Sequence, residues 1–323
     1  MGEHVIDLAV SIYTTREALD TVLDTIERIE CSLPGENRVM LDAVVNGNRD
    51  LAENLADRMR ARSARGVGGA FRVWSIPLAD KANAWNEYVH RIRPPARAYF
   101  FVDGYAQLAQ DGIERLKNAL FSSDEVLGAT GIPASGRSTP ELRAILLSEG
   151  GLHGNFFALK ADVMDSFRST SFRLPAGLYR TDSVVGAALA FGADLLPRDW
   201  QVKQRIKVDP SVGWTHRTLK WWRLADLKQH FRRVLRQHQG LLEIAAVKDA
   251  YHLRGLPLSS LPSTVHDLIA EWQHRSAEDA SMLLRSNWRA RYAAKRLFRT
   301  AKIPPTGRSA ELLFDSATPN QSL

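Results

Sequence analysis

The stretch that most limits how this chain can fold is residues 98–108, Ala-Tyr-Phe-Phe-Val-Asp-Gly-Tyr-Ala-Gln-Leu. Tyr99, Phe100, Phe101 and Val102 form an unbroken apolar run, the pattern of a central parallel strand covered on both faces, and Gly104 breaks it. Asp103 is thereby set at the carboxyl end of the strand, where ligands bind in open α/β sheets. Taken alone, Asp103 reads equally well as an acid opening a turn or capping a helix.

Upstream, strand-like and helix-like stretches alternate. Residues 5–13 read as a strand, and Leu19, Val22, Leu23, Ile26 and Ile29 follow with helical spacing. Residues 39–45 give a second strand ending in Asn46-Gly47-Asn48, and residues 50–62 a second helix. Residues 71–76 give a third strand, and residues 79–92 a helix that Arg93-Pro94-Pro95 stops before the fourth strand. This alternation predicts βαβ units and a parallel sheet, with the polar clusters converging on one sheet edge.

The single cysteine, Cys31, excludes an intrachain disulfide, a cysteine zinc cluster and a redox pair, and fits a reducing compartment. Glu3, His4 and Asp7 leave no basic region followed by an apolar core at the start, so a secretory signal is not expected. No apolar run approaches membrane-spanning length. The net charge of +7 is uneven: residues 1–200 hold 22 Lys+Arg against 26 Asp+Glu, and residues 201–323 hold 21 against 10. That asymmetry predicts two functional parts, with an anionic partner or a solvated basic face for the second.

Four segments in order, residues 9–17 (Ala-Val-Ser-Ile-Tyr-Thr-Thr-Arg-Glu), 44–50 (Val-Val-Asn-Gly-Asn-Arg-Asp), 80–86 (Asp-Lys-Ala-Asn-Ala-Trp-Asn) and 101–105 (Phe-Val-Asp-Gly-Tyr), resemble family 2 glycosyltransferases. The resemblance covers roughly residues 5–200. It implies the GT-A fold, a Rossmann-like, mostly parallel α/β sheet flanked by helices, and a nucleotide-sugar donor, UDP- or GDP-linked. By carry-over, Tyr13, Thr14 and Glu17 in the first turn, Asn46 and Asn48 in the second, Lys81 and Asn86 on the helix, and Asp103 with Tyr105 are implied on the donor side. Lys81 offers a point charge suited to phosphate.

Two departures matter. The family's Asp-x-Asp places its last acid on Mg²⁺ or Mn²⁺, and here that position is Tyr105, a poor ligand for a hard cation. Either Asp103 takes the metal with other oxygens, with His216 a further candidate ligand, or cations and hydrogen bonds stabilise the leaving group. Asn46 stands where an acid is common, which leaves the nucleotide's identity open. On the acceptor or sugar side, residues 150–160 resemble the family's Gly-rich entry to a later strand, implicating His153, Gly154 and Asn155. Residues 175–183 match the segment that carries an acidic pair; Thr181 replaces the first acid, and Asp182 carries over as general base of an inverting transfer, with an N-cap of the helix 183–191 as its structural alternative.

Residues 1–214 are expected as the catalytic domain, 215–303 as a basic amphipathic helical region, and 304–323 as a disordered tail. In the basic region Leu219, Trp221, Trp222, Leu224, Leu227 and Phe231 recur at helical spacing among Lys and Arg, and residues 285–302 repeat the pattern. Such helices either lie on an anionic membrane surface, peripheral at its cytoplasmic face, or cover the catalytic domain. Two competing functions remain: a GT-A domain that binds nucleotide sugar without turnover, and a basic nucleic-acid-binding protein. No motif supports the second, so no nucleic acid is expected.

Overall fold

The computed structural model describes residues 6–33, 38–66, 69–136, 139–215, 224–300, 303–304 and 309–317, with side chains between 224 and 233 left aside. The first half runs β1 (Ile6–Thr14), α1 (Leu19–Cys31), β2 (Val39–Asn46), α2 (Arg49–Ser63), β3 (Ala70–Ile76), α3 (Lys81–Glu87) and β4 (Ala96–Asp103). Each predicted element is present, most within a residue or two; β4 begins at Ala96, three residues before the apolar run at Tyr99. The helix expected over 79–92 begins at Lys81 because Asp80 caps it, and its last turn, Tyr88–Ile92, is π-helical before Pro94 and Pro95 end it.

Then follow β5 (Gln107–Leu108), α4 (Gly112–Leu120), β6 (Gly128–Pro133), α5 (Thr139–Glu149), β7 (Phe156–Lys160), α6 (Ala161–Ser169), α7 (Thr181–Ala190), α8 (Val202–Arg205) and β8 (Ile206–Thr215). The chain continues through α9 (Leu224–Lys248), α10 (Val265–Arg275), α11 (Ala277–Ser286), α12 (Trp288–Arg299) and β9 (Glu311–Asp315). The strands form one mixed sheet in the order β5-β8-β6-β7-β4-β1-β2-β3-β9. β4, β1, β2 and β3 are parallel neighbours, whereas β7 runs antiparallel to β4.

β4 is central, and the alternation of its side chains feeds two cores. Phe100 and Val102 join Val10, Ile12 and Phe156 on one face, while Tyr99 and Phe101 join Ala9, Tyr13 and Phe157 on the other. The Phe101 and Phe157 rings stack at 4.6 Å with 7° between their planes. The register sets Tyr13 opposite Asp103 and Val44, so β1, β2 and β4 end together.

The C-terminal helices bury their apolar faces in the same core: Leu242, Val247, Tyr251, Ile269, Trp272 and Leu297 cluster with Phe101, Val185 and Leu189. The last stretch departs from expectation. Glu311–Asp315, placed by the sequence reading in a disordered tail, is a strand that pairs antiparallel with β3 and closes that edge of the sheet. Its Leu312, Leu313 and Phe314 lack a strong periodic context, and the free edge of β3 supplies the missing hydrogen bonds. Truncating the centre of the aromatic core, Phe101→Ala, is expected to cost about 3–5 kcal/mol of unfolding free energy, measured by urea denaturation.

Candidate active site

The loops that leave β1 and β2 are laced together by the polar residues singled out in the sequence. Glu17 Oε2 accepts hydrogen bonds from Thr14 Oγ1 at 2.7 Å, Thr15 N–H at 2.7 Å and Arg16 N–H at 2.9 Å, tying the turn into one unit. Thr15 Oγ1 donates to the Asn46 carbonyl. Asn48 caps α2, accepting from Leu51 N–H at 3.1 Å, and its amide donates to the Thr15 carbonyl at 3.1 Å. The Asn46 amide, oriented to satisfy both neighbours, donates to Thr14 O at 3.0 Å and accepts from Asp80 N–H at 3.3 Å.

Other expected donor contacts face inward. Tyr13 is 5% exposed, its ring stacked on Phe101 and edge-on to Tyr88, and burial drives its phenol pKa well up. Asn86 is buried and exchanges two hydrogen bonds with the Leu174 backbone, each 2.9 Å. Tyr13, Glu17, Asn46, Asn48 and Asn86 thus build the floor of the site, with side chains already engaged or enclosed.

Asp103 is the centre. It can sit there because Gly104 lets the chain pass close to β1: a Cβ on Gly104 would fall 2.7 Å from Thr14 Cβ. Lys81, in the first turn of α3, ion-pairs with Asp103 Oδ1 and donates to the Gly154 carbonyl at 3.3 Å. Tyr105 OH donates to Asp103 Oδ2 at 3.0 Å, and burial together with the Asp103 charge pushes its pKa well up, so it acts as a neutral donor.

These contacts bear on the divalent cation that the resemblance implies. Both Asp103 oxygens are engaged, one by an ammonium that a cation would have to displace. Among the described residues no group of three or more His, Cys, Asp or Glu side chains could hold a metal ion. His216 lies outside the described residues. The described side chains therefore form no ready-made cation cage, and a divalent ion here would need Asp103 released from Lys81 and further oxygens from a bound diphosphate or water.

The opposite wall is Asp182. Its helix, α7, begins at Thr181 with Arg180 as N-cap and no side-chain cap, so Asp182 is not the N-cap considered from the sequence. It lies inside the first turn, where the helix dipole favours an anion, and its Oδ2 accepts from Gly154 N–H at 2.9 Å. Oδ1 makes no hydrogen bond among the described residues. Gly154 therefore joins Lys81 through its carbonyl and Asp182 through its N–H.

His153 stands beside them, its ring 4.7 Å from Trp214. Burial lowers its pKa, against the opposing pull of Asp182 and Asp103, and its Nδ1 accepts from Asn155 N–H at 3.3 Å. Asn155 contributes its backbone, accepting from Asp103 N–H at 3.1 Å. A small, mostly apolar cavity lies beside them, lined by Lys81, Gly154 and Thr181 with Tyr13, Trp85, Phe101, Phe157 and Val185; neither Asp103 nor Asp182 lines it.

One supporting residue escaped the sequence reading. Glu243 on α9 is fully buried, and its carboxylate accepts from Tyr179 N–H at 3.0 and 3.1 Å, Arg180 N–H at 2.9 Å and Gln239 Nε2 at 2.8 Å. Burial raises its pKa while those donors oppose the rise. The signal was a lone acid inside Leu241-Leu242-Glu243-Ile244-Ala245-Ala246-Val247. Glu243→Gln presents N–H to N–H, and is expected to cost about 1–3 kcal/mol in a urea melt and to loosen the loop that leads into Asp182.

No family model and no curated protein matches the chain. Among solved structures it resembles a mannosyltransferase from Pyrobaculum calidifontis in complex with GDP-Man and Mn²⁺. That alignment has a TM-score of 0.57 at 14% identity and covers 94% of this chain and 78% of that one. Glucosyl-3-phosphoglycerate synthase from Mycobacterium tuberculosis, in complex with Mn²⁺, UDP-glucose and phosphoglyceric acid, aligns with a TM-score of 0.48 at 17% identity, covering 78% of this chain and 81% of that one. The likeness to the mannosyltransferase, together with the mixed sheet and its order, shows that this chain has the GT-A fold.

Proposed function

We propose that the protein is a glycosyltransferase that moves a sugar from a UDP- or GDP-linked donor to an acceptor hydroxyl with inversion at the anomeric carbon. The observation that carries this reading is the meeting of Lys81–Asp103 and Asp182 across Gly154, at the common end of β1, β2 and β4. In this reading Asp182 Oδ1 takes the acceptor proton as the hydroxyl oxygen attacks, and the bond from the anomeric carbon to the diphosphate breaks on the opposite side. Lys81 meets the charge of the departing diphosphate. His153, kept neutral by burial, is the next candidate base.

The mannosyltransferase of like fold holds Mn²⁺, and Mn²⁺ or Mg²⁺ is accordingly a candidate cofactor here. With Tyr105 in place of an acid and Asp103 already paired, such an ion is proposed to assist without being required. Chelation by EDTA is expected to leave a measurable part of the turnover. Complete loss, restored by Mn²⁺, would overturn the proposal.

A second reading, a domain that binds nucleotide sugar without turnover, is favoured by Tyr105, Asn46 and Thr181 standing where acids are common. Asp182→Asn separates the two. It keeps the shape and the acceptor for Gly154 N–H but cannot take a proton, so kcat is expected to fall by about 10²-fold or more with donor affinity nearly unchanged. Specific activity retained in the Asn variant would leave Asp182 a structural residue only.

The acceptor class that suits this reading is a polysaccharide or glycolipid precursor. No helix among the described residues is long and apolar enough to cross a membrane. The basic C-terminal helices support a cytoplasmic protein, peripheral at the inner face of a membrane.

A further inference from the structure

α12 has two unlike faces. Ala290, Ala293, Ala294 and Leu297 are buried, so small side chains bring this helix close against the C-terminal bundle. Asn287 caps its start, accepting from Ala290 N–H at 3.0 Å, and His266 Nε2 lies 2.8 Å from the Leu297 carbonyl at its end. Its orientation is therefore set by packing and by both termini.

The outward face carries bulky apolar side chains: Trp288 is 65% exposed, Tyr292 49% and Phe298 45%, and Met282 in the middle of α11 is 60% exposed. Scattered single exposures need no explanation, but here four fall within 17 residues of two consecutive helices. Interleaved with them are Arg285, Arg289, Arg291, Lys295, Arg296 and Arg299, all exposed.

Some surface arginines elsewhere are paired with acids, as in Arg49 with Glu53, Arg62 with Glu30 and Arg115 with Asp111. None of the six cations of this face has an ion pair among the described residues, and the sequence holds no acid between Asp279 and Glu311. The face is thus complementary to a negative surface, with aromatic and aliphatic groups at the same level.

We propose that the exposed face of α11 and α12 docks this protein on an anionic lipid bilayer, with α12 lying in the interfacial plane. The bilayer supplies both things the face asks for over its whole length, headgroup anions for the six cations and a shallow apolar layer for Trp288, Tyr292, Phe298 and Met282. A nucleic acid would match the charge but offers Met282 and Phe298 no apolar layer. The sequence pointed first to the stretch from Leu219 to Phe231, whose side chains lie outside those described.

The test is sedimentation of the full-length protein with vesicles of phosphatidylcholine alone, and with vesicles in which about a third of the lipid is phosphatidylglycerol. Binding is expected at least tenfold tighter to the anionic vesicles and lost near 1 M salt, where the screening length falls to about 3 Å. The triple variant Arg291→Glu, Lys295→Glu, Arg299→Glu should bind roughly 100-fold more weakly, since each cation at such a surface is worth roughly fivefold. Trp288→Ala should weaken binding while leaving its salt dependence in place.

An unchanged melting temperature shows that the triple variant folds; if it does not, single Arg→Gln and Lys→Gln replacements at the same positions take its place. Equal binding to neutral and anionic vesicles, no vesicle binding by the full chain, or wild-type binding in the variants would overturn the proposal. Capture of a single-stranded RNA in preference to vesicles at the same salt would overturn it in favour of nucleic acid. None of these outcomes depends on whether the protein transfers sugar.

Discussion

The rest of the site depends on the ion pair between Lys81 and Asp103. Asp103 is delivered by a strand buried on both faces, and Lys81 by a helix whose start is set by the Asp80 cap, so two rigid elements hold the two charges. Lys81 remains about a third exposed. Asp103 is buried while Lys81 reaches solvent, so screening limits what the pair adds to stability, and its importance lies in where it holds a positive charge. The same ammonium reaches the Gly154 carbonyl, and the Gly154 N–H reaches Asp182. The proposed donor-binding and proton-transfer groups are therefore parts of one hydrogen-bonded chain.

The far end of that chain is held by the C-terminal helices. Glu243 gathers the N–H groups of Tyr179 and Arg180, Gln239 donates to the Gly177 carbonyl at 3.3 Å, and Asp80 accepts from Gly177 N–H at 3.2 Å. The Ala176 backbone exchanges hydrogen bonds with Ser263 and Val265. A buried carboxylate is costly unless it is bonded in this way, and the cost makes the arrangement specific: the loop has one conformation that satisfies Glu243. The basic region is thus joined to the site on one face while α12 presents its cations on another.

The elements of the first half were legible because each has its own periodicity. The run at 99–102, the helical spacing of Val22, Ile26 and Ile29, and the stop at Pro94 and Pro95 are local signals that tertiary packing reinforces. β9 was not legible, since a five-residue strand at a sheet edge is created by its partner's unpaired backbone and not by its own pattern.

For the site, the sequence by itself determined which residue types gather at the sheet edge, because Asp103, Asn46 and the Thr14–Glu17 turn each end or follow a strand. Their roles were decided only by the tertiary structure. Asn48 and Glu17 spend their acceptors on backbone N–H groups, Tyr13 turns into the aromatic core, and Asp182 bonds across to Gly154. A side chain's chemistry is written in the sequence. Which partner takes its lone pairs depends on residues 28 to 64 positions away, as with Asp182 and Gly154 or Glu243 and Tyr179, and only the folded chain brings those together.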